Sequence, residues 1–205
     1  WEEGVSLAAE TETKDVRLQC YLGYCYENGL GTAKDVRGAA EWYRKAAEQG
    51  NENAQVALAR MYEDGKGVAK SKREAVKWYT KAAEQGNCLA QFSLGFFHEF
   101  GYGVVENPLV AVEWYRKAAE QGDAIAQLCL GEMYEYGALV VLNYKEAAKW
   151  YRLAADQSEP DACWHLGQMY KFGLGVGEDV AEAKKWFRRA AELGCEAAKN
   201  EVELM

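Results

Sequence analysis

Two histidines, His98 and His165, are the only imidazole groups of this 205-residue chain. Catalysis requires a nucleophile or an acid–base pair that converges in one pocket. His98 occupies a position that holds tyrosine in four similar segments, so we expect a buried, hydrogen-bonded histidine. His165 adjoins Trp164, and one nearby thiol, that of Cys163, is too little for a zinc site. We therefore expect His165 to be a surface or contact residue.

Other side chains that could do chemistry lack their partners in the sequence. A nucleophile of the β-lactamase type needs a lysine three residues after its serine, and none of the four serines has one. The Gly-x-Gly segments lack the lysine spacing of a phosphate-binding loop. The six cysteines recur at no fixed place, which predicts reduced, packed thiols and mildly favours a reducing cytoplasm. We expect no enzyme activity, no metal and no cofactor.

Composition argues against two kinds of partner. The formal net charge of −8 opposes binding to a phosphate backbone, which needs clustered Lys and Arg. The longest aliphatic run is "ALVVL" at 138–142, whereas a membrane-spanning helix needs about 20 apolar residues. We therefore expect neither nucleic-acid binding nor membrane insertion. The chain begins at Trp1 without a start methionine, which is typical of a fragment or a processed product.

The sequence repeats with a period of 36 residues. The segment "EWYRKAAEQGN" begins at Glu41, and similar segments follow at intervals of 36 residues. A second segment recurs in step with it, as in "LGYCYENGLG" from Leu22. Within the second segment, Ala90, Leu94 and Phe97 have the spacing of one face of an amphipathic helix. Each unit thus contains two helices joined by a Gly-rich turn.

The same residue types mark the helix boundaries in every unit. Glycine ends most of the helices, where a left-handed C-cap suits it. Because neither helix of a pair can bury its apolar surface alone, the units must stack. The sequence therefore predicts an all-α fold, a right-handed α-solenoid of five helix-turn-helix repeats. The second helix of each repeat begins at a good N-cap residue: Asp35, Ser71, Asn107, Asn143 or Asp179.

The combined pattern resembles the Sel-one-like repeat (SLR) family, a relative of the tetratricopeptide repeat. Its motif, A-x-x-x-L-G-x-x-Y-x-x-G-x-G-V followed by A-x-x-W-Y-x-x-A-A-x-x-G, covers about residues 16–197. Residues 1–15 resemble the remnant of a preceding repeat, its second helix and linker, and residues 198–205 begin a further helix that acts as a C-terminal cap. Repeat four departs from the motif at Leu139 and at Ser158. The five repeats are expected at about 16–53, 54–89, 90–125, 126–161 and 162–197.

The resemblance implies a protein–protein interaction adaptor or scaffold. The implied ligand is a peptide or protein segment held on the concave face of the solenoid. Two alternatives stay open: a structural spacer or self-assembling scaffold without a groove ligand, and a hydrolase of the β-lactamase-like type claimed for some relatives. We expect a monomer or weak self-association.

The resemblance also places the binding surface, because the first helices line the concave side of tetratricopeptide-like solenoids. An apolar stripe runs beside their core stripe, although it is more polar in repeats one and two. A row of glutamates accompanies it, so we expect a partner with apolar anchors and some basic residues. Alternatively, the aromatics pad contacts between neighbouring first helices and the glutamates only aid solubility. The predicted protein-binding residues are Phe92, Phe96, Phe100, Leu128, Tyr136, Trp164, Phe172, Glu63, Glu99 and Glu135.

The second helices carry basic pairs such as Arg188-Arg189, with glutamates near by. Glu41 and Lys45 have the i, i+4 spacing of a weak helix-surface ion pair, as have Glu113 and Lys117. This pattern indicates solvated outer faces.

Overall fold

A computed structural model describes residues 13–137 and 140–204, and these residues form eleven α-helices and no strand. Odd-numbered helices α1 to α9 are the first helices of the five repeats, and even-numbered helices α2 to α10 are the second helices. In chain order the helices are α1 (Val16–Asn28), α2 (Val36–Glu48), α3 (Glu52–Asp64), α4 (Lys72–Glu84), α5 (Cys88–Glu99), α6 (Pro108–Glu120), α7 (Ala124–Tyr136), α8 (Tyr144–Asp156), α9 (Pro160–Phe172), α10 (Val180–Glu192) and α11 (Glu196–Leu204).

Side-chain caps and left-handed glycines set the helix ends. The Asp35 carboxylate accepts the backbone N–H of Arg37 at 3.0 Å at the start of α2. Asn51 Oδ1 likewise accepts the N–H of Ala54 at 2.9 Å at the start of α3. Gly29 follows α1 with a φ of 72°, a conformation that glycine adopts without strain. The helix boundaries are thus encoded locally, in the residues next to them.

The chain divides into two compact units, residues 1–107 and residues 108–205. In the first unit, α1 packs on α2, α2 on α3, α3 on α4 and α4 on α5. In the second unit, α6 packs on α7, α7 on α8, α8 on α9, α9 on α10 and α10 on α11. Helices therefore pack chiefly against their neighbours in the chain, which is how a repeat array buries its core.

A helix glycine and an aromatic ring set the spacing between the two helices of a repeat. Tyr151 of α8 is fully buried, and its ring lies so close to Gly131 of α7 that an added Cβ would come within 2.4 Å of it. In repeat one, the ring of Tyr43 would lie 2.6 Å from a Cβ at Gly23. A larger residue at either glycine would have to displace a packed ring.

Buried glutamines link consecutive helices. Gln127 of α7 donates its Nε2 to the carbonyl oxygen of Ala119 at 3.0 Å and accepts from Nε2 of Gln157 at 2.9 Å. Its amide group is therefore hydrogen-bonded on both sides, as a buried polar group must be. The equivalent glutamine pairs are Gln19–Gln49 in repeat one, at 2.6 Å, and Gln55–Gln85 in repeat two, at 2.7 Å.

The all-α, helix-turn-helix prediction is confirmed. The predicted remnant of a preceding repeat falls largely on residues 1–12, which lie outside the described residues, as do residues 138 and 139 of the repeat-four loop. Helix α11 begins at Glu196, two residues before the predicted boundary, and its capping role stays a prediction. None of the helices in the described ranges has the length and apolar character needed to span a membrane.

Candidate protein-binding surface

Exposed aromatic side chains are confined to one set of helices. Within residues 13–137 and 140–204, every exposed aromatic lies on a first helix or directly at its C-terminal end. The aromatics of the second helices are instead buried or half-buried. Rings left in water are typical of interaction sites, so the first helices carry the candidate surface. The exposed aromatics are Tyr21, Tyr24, Phe96, Phe100, Tyr136 and Phe172, which are 37% to 63% exposed.

In the first unit, aromatic rings gather at the C-terminal end of α5. The ring centroids of Phe96 and Phe100 are 4.7 Å apart, and Phe100 stacks on Tyr102 at 5.9 Å. Nζ of Lys72 lies 3.3 Å from the centroid of the Tyr102 ring. Phe92, one turn earlier in α5, is half-buried. The predicted residues Phe96 and Phe100 thus belong to one exposed aromatic patch.

The first unit also has an open groove of about 530 Å³ between α1 and α3. Tyr21 and Tyr24, which are 40% and 50% exposed, stand on its α1 side. The sequence predicts no binding residue here, because the stripe on α1 is more polar than that of the later repeats. The two tyrosines one turn apart were the signal available in the sequence. The groove is lined by Arg17, Cys20, Tyr21, Tyr24, Tyr43, Asn51, Asn53 and Ala57.

In the second unit, the predicted residues separate into an exposed set and a buried set. Tyr136 and Phe172 end α7 and α9 and are 63% and 59% exposed. Nζ of Lys171 lies 5.3 Å from the centroid of the Phe172 ring. Leu128 is buried in the core of this unit, and Trp164 packs against the same core. Leu128 and Trp164 therefore stabilise the fold and are poorly placed to act as anchors.

Two glutamates of the predicted acidic row accept hydrogen bonds from tyrosines of the second helices. Tyr79 Oη donates to Glu63 Oε2 at 2.9 Å, and Tyr151 Oη donates to Glu135 Oε2 at 2.6 Å. Burial and the Glu63 charge raise the pKa of Tyr79, so its hydroxyl is a donor at neutral pH. Glu63, Glu99 and Glu135 are half-buried residues. Glu63 and Glu135 are thus fixed in place and still partly open to solvent.

Repeat five changes both members of this tyrosine–glutamate pair. Lys171 replaces the glutamate, and Phe187 replaces the tyrosine. Nζ of Lys171 instead contacts Glu201 Oε2 of α11 at 2.7 Å. Because donor and acceptor change together, the pair acts as one structural unit within a repeat.

His165 lies between two glutamates of α7. Its Nδ1 is 2.9 Å from Glu135 Oε2, its Nε2 is 3.7 Å from Glu132 Oε1, and its ring stacks on Tyr151 with centroids 4.6 Å apart. Burial alone would raise the pKa of Glu135, but hydrogen bonds from His165 and Tyr151 outweigh it and lower that pKa. Of the two expected roles for His165, the structure shows the contact role, which joins α9 to α7 and α8.

His98 departs from the expectation of a hydrogen-bonded histidine. It is half-buried, and its Nδ1 is a buried atom that has no hydrogen-bond partner in the described part of the chain. In repeat two the equivalent hydroxyl of Tyr62 accepts from Arg44 at 3.1 Å. One repeat later, Thr80 occupies the position of Arg44, as His98 occupies that of Tyr62. The Thr80 hydroxyl instead donates to the Val76 carbonyl of its own helix. The prediction is therefore wrong at this nitrogen.

The two sets of helices carry opposite net charge. The five second helices contain 16 Lys or Arg and 10 Asp or Glu, a net charge of +6. The five first helices contain 3 Lys or Arg and 8 Asp or Glu, a net charge of −5. The candidate surface thus combines exposed aromatics with an acidic background.

The serines and cysteines that could act as nucleophiles have structural roles or are free thiols. Ser71 Oγ caps α4 by accepting the N–H of Glu74 at 3.2 Å, and Ser158 Oγ accepts from Arg189 at 3.0 Å. All six cysteines are thiols. In the residues that the structure describes, no three or more His, Cys, Asp or Glu side chains are grouped so that they could hold a metal ion.

Comparison with known proteins agrees with this architecture. The family model of the Sel1 repeat matches five consecutive segments, at residues 16–51, 53–87, 88–123, 124–159 and 160–195. The chain therefore belongs to the Sel1 repeat family, and the predicted α-solenoid of five repeats is confirmed. Proteins of this family are generally protein-interaction scaffolds, and the family is generally non-enzymatic.

Solved structures share this fold. A protective antigen present in uropathogenic Escherichia coli strains, which displays an SLR fold, is 39% identical, with a TM-score of 0.92, over 97% of this chain and 42% of that one. A Sel1 repeat protein from Oxalobacter formigenes is 35% identical, with a TM-score of 0.90, over 97% and 82%. Helicobacter pylori cysteine rich protein B is 28% identical, with a TM-score of 0.51, over 64% and 94%. This chain thus spans less than half the length of the first of these structures. A search of curated proteins found no match.

Proposed function

We propose that this chain is an interaction scaffold that binds a segment of a partner protein on its first-helix surface. We use this name, in each unit by itself, for the exposed aromatics of its first helices together with its glutamates, which are Glu63 and Glu99 in the first unit and Glu135 in the second. The observation that carries the proposal is the confinement of all exposed aromatics of the described residues to these helices. An array that served only as a spacer would have no need to leave aromatic rings in water on one set of helices.

The aromatic side chains supply the expected affinity. Phe96 and Phe100 are 37% and 50% exposed and already contact each other, so a partner would bury pre-organised rings at little entropic cost. Tyr136 and Phe172 offer the same kind of anchor in the second unit. Buried aromatic anchors commonly contribute more than about 2 kcal/mol each to a protein interface.

The acidic background defines the charge of the partner. Glu63 and Glu135 are held by tyrosine hydroxyls, so their carboxylates keep fixed positions on the first helices. A partner segment with Lys or Arg next to its apolar residues complements this surface. Such charges chiefly set orientation and association rate, because partly exposed ion pairs add little affinity.

The test begins with peptides selected for binding to the protein from a random library. Affinities are then measured for Phe96→Ala, Phe100→Ala and Tyr136→Ala, after circular dichroism shows each variant to be folded. Each substitution of an anchor should weaken binding by at least about 1–2 kcal/mol. The matched controls are Leu109→Ala and Leu153→Ala, because these leucines are 68% and 47% exposed on second helices.

The proposal fails if the control substitutions abolish binding while all three aromatic substitutions leave it unchanged. The selected peptides provide a second criterion, since they should be enriched in large apolar residues flanked by Lys or Arg. Enrichment in acidic residues on peptides that still require Phe96 and Phe100 would refute the charge argument alone.

A further inference from the structure

Several contacts that most repeats share are missing or changed in repeat five and in the turn before it. In repeat four, Gln127 and Gln157 form the buried glutamine pair described above. The equivalent residues of repeat five are Cys163 and Leu193, so this pair is absent from repeat five. Leu193 is 38% exposed, and the Cys163 thiol contacts the Ala155 carbonyl at 3.7 Å.

The turn that precedes repeat five is altered as well. Ser158 has a φ of 67° and is the only non-glycine residue with positive φ among residues 13–137 and 140–204. The equivalent positions are glycines, for example Gly122 with a φ of 97°. A left-handed conformation is unfavourable for an L-residue, so a serine at this position lowers the stability of the fold relative to glycine. Strain of this kind is concentrated at functional sites.

A change of cation accompanies the serine. Lysines at one register position of the second helices pack over the tryptophan of their own helix, as Lys45 does over Trp42 at 4.2 Å. In α10 this position is Arg189, which donates to Ser158 Oγ at 3.0 Å. Trp186 is covered instead by Arg152 of α8, at 4.9 Å.

These altered residues line one open groove of about 440 Å³ in the second unit. Arg188 is exposed and makes no ion pair with any residue in the described part of the second unit. Lys185 pairs with Glu182 one turn earlier and stays exposed. The lining has three cations and one carboxylate, that of Glu192, and consists of Ser158, Lys185, Arg188, Arg189, Glu192 and Leu193.

We propose that this groove, which we call the basic groove, binds an acidic segment of a partner protein. Guanidinium groups such as that of Arg188 present planar donors that match a carboxylate in two-point contact. The exposed Leu193 adds an apolar surface on which an apolar side chain of the peptide can pack. The net charge of −8 on the whole chain disfavours extended polyanions such as nucleic acid or an anionic membrane, whereas a short acidic segment meets only the local positive charge. This site is independent of the first-helix surface.

The test uses a fluorescein-labelled peptide of the sequence Glu-Glu-Leu-Glu-Glu-Leu-Glu-Glu, with binding followed by fluorescence anisotropy at low salt. Saturable binding to the intact chain is expected. Lys185→Ala and Arg188→Ala should each weaken it about three- to tenfold, since both side chains are exposed and their loss leaves the fold intact.

The matched control is Lys77→Ala. Lys77 occupies the register position of Lys185 in α4 and pairs with Glu74 just as Lys185 pairs with Glu182. Binding by Lys77→Ala should equal that of the unaltered chain. The proposal is overturned if the peptide does not bind saturably, if the control weakens binding as much as Lys185→Ala, or if a single-stranded oligonucleotide or anionic vesicles bind more tightly than the peptide.

Discussion

Replacement of Tyr151 by phenylalanine should destabilise the protein by about 1.5–2 kcal/mol. The hydroxyl of Tyr151 donates to Glu135 at 2.6 Å, Tyr151 is fully buried, and the Glu135 side chain is 15% exposed. A hydrogen bond to a charged group contributes about 1.5–3 kcal/mol net. We expect the lower part of this range because His165, at 2.9 Å, would still hold the Glu135 carboxylate.

The matched control is Phe187→Tyr, which adds a hydroxyl at the equivalent position of repeat five. Lys171 replaces the glutamate there, and its ammonium is already paired with Glu201 Oε2 at 2.7 Å, so the new hydroxyl finds no carboxylate placed like Glu135 and no stabilisation is expected. Urea denaturation followed by circular dichroism measures both free energies. A loss below about 0.5 kcal/mol for Tyr151→Phe, or a gain of similar size for Phe187→Tyr, would refute the claim that the hydroxyl–carboxylate pair stabilises the repeat.

Three further predictions concern packing, pH and redox state. Gly67→Ala should cost at least about 2 kcal/mol more than Gly50→Ala in urea denaturation, because both glycines have positive φ but only a Cβ at Gly67 would meet another atom, the Val36 carbonyl oxygen at 1.9 Å. Equal losses would contradict this packing. The pKa of Glu135 is lower in the folded chain than its ordinary value of 4.5. Ionised Glu135 therefore adds to the free energy of unfolding above pH 4.5, and this contribution is lost as the pH falls through the folded pKa. The stability gap between the unaltered chain and Glu135→Gln should therefore shrink on acidification, and a constant gap would contradict the pKa shift. Reductant should leave the thermal midpoint unchanged because the six cysteines are thiols, whereas a fall of tens of degrees would reveal a disulfide, worth about 2–5 kcal/mol.

The helices and their ends could be predicted because their signals are local. The spacing of Ala90, Leu94 and Phe97 defines one helical face, and all three side chains are buried. Asp35 caps α2 with its own carboxylate, and Gly29 follows α1 in a left-handed conformation. A fixed 36-residue period then implies that every repeat makes the same neighbour contacts.

The candidate site was predicted only in part, because exposure depends on what packs beside a helix. Phe96 and Leu128 both lie on the stripe next to the core stripe, yet Phe96 is 37% exposed and Leu128 is 9% exposed. The sequence does not show that the stripe on α7 reaches the core of the second unit. The lack of a hydrogen-bond partner at His98 Nδ1 was missed for the same reason, since Thr80, which stands where repeat one has Arg44, belongs to another helix.

Some long-range contacts could nevertheless have been found in the sequence. Glu63 and Tyr79 are 16 residues apart, and the same spacing joins Glu135 to Tyr151. Repeat five changes both members together, to Lys171 and Phe187, so comparison of the repeats with one another would have revealed the pair. The glutamine pairs, 30 residues apart, follow the same logic.

The central claim is that the first helices carry the partner-binding surface. Backbone and side-chain resonances of the isotope-labelled protein, titrated with a selected peptide and followed by NMR, test it most directly. We predict that the largest shift changes fall on the rings of Phe96, Phe100 and Tyr136 and on neighbouring residues of α5 and α7. Changes confined to the second helices, with these rings unaffected at saturation, would contradict the claim.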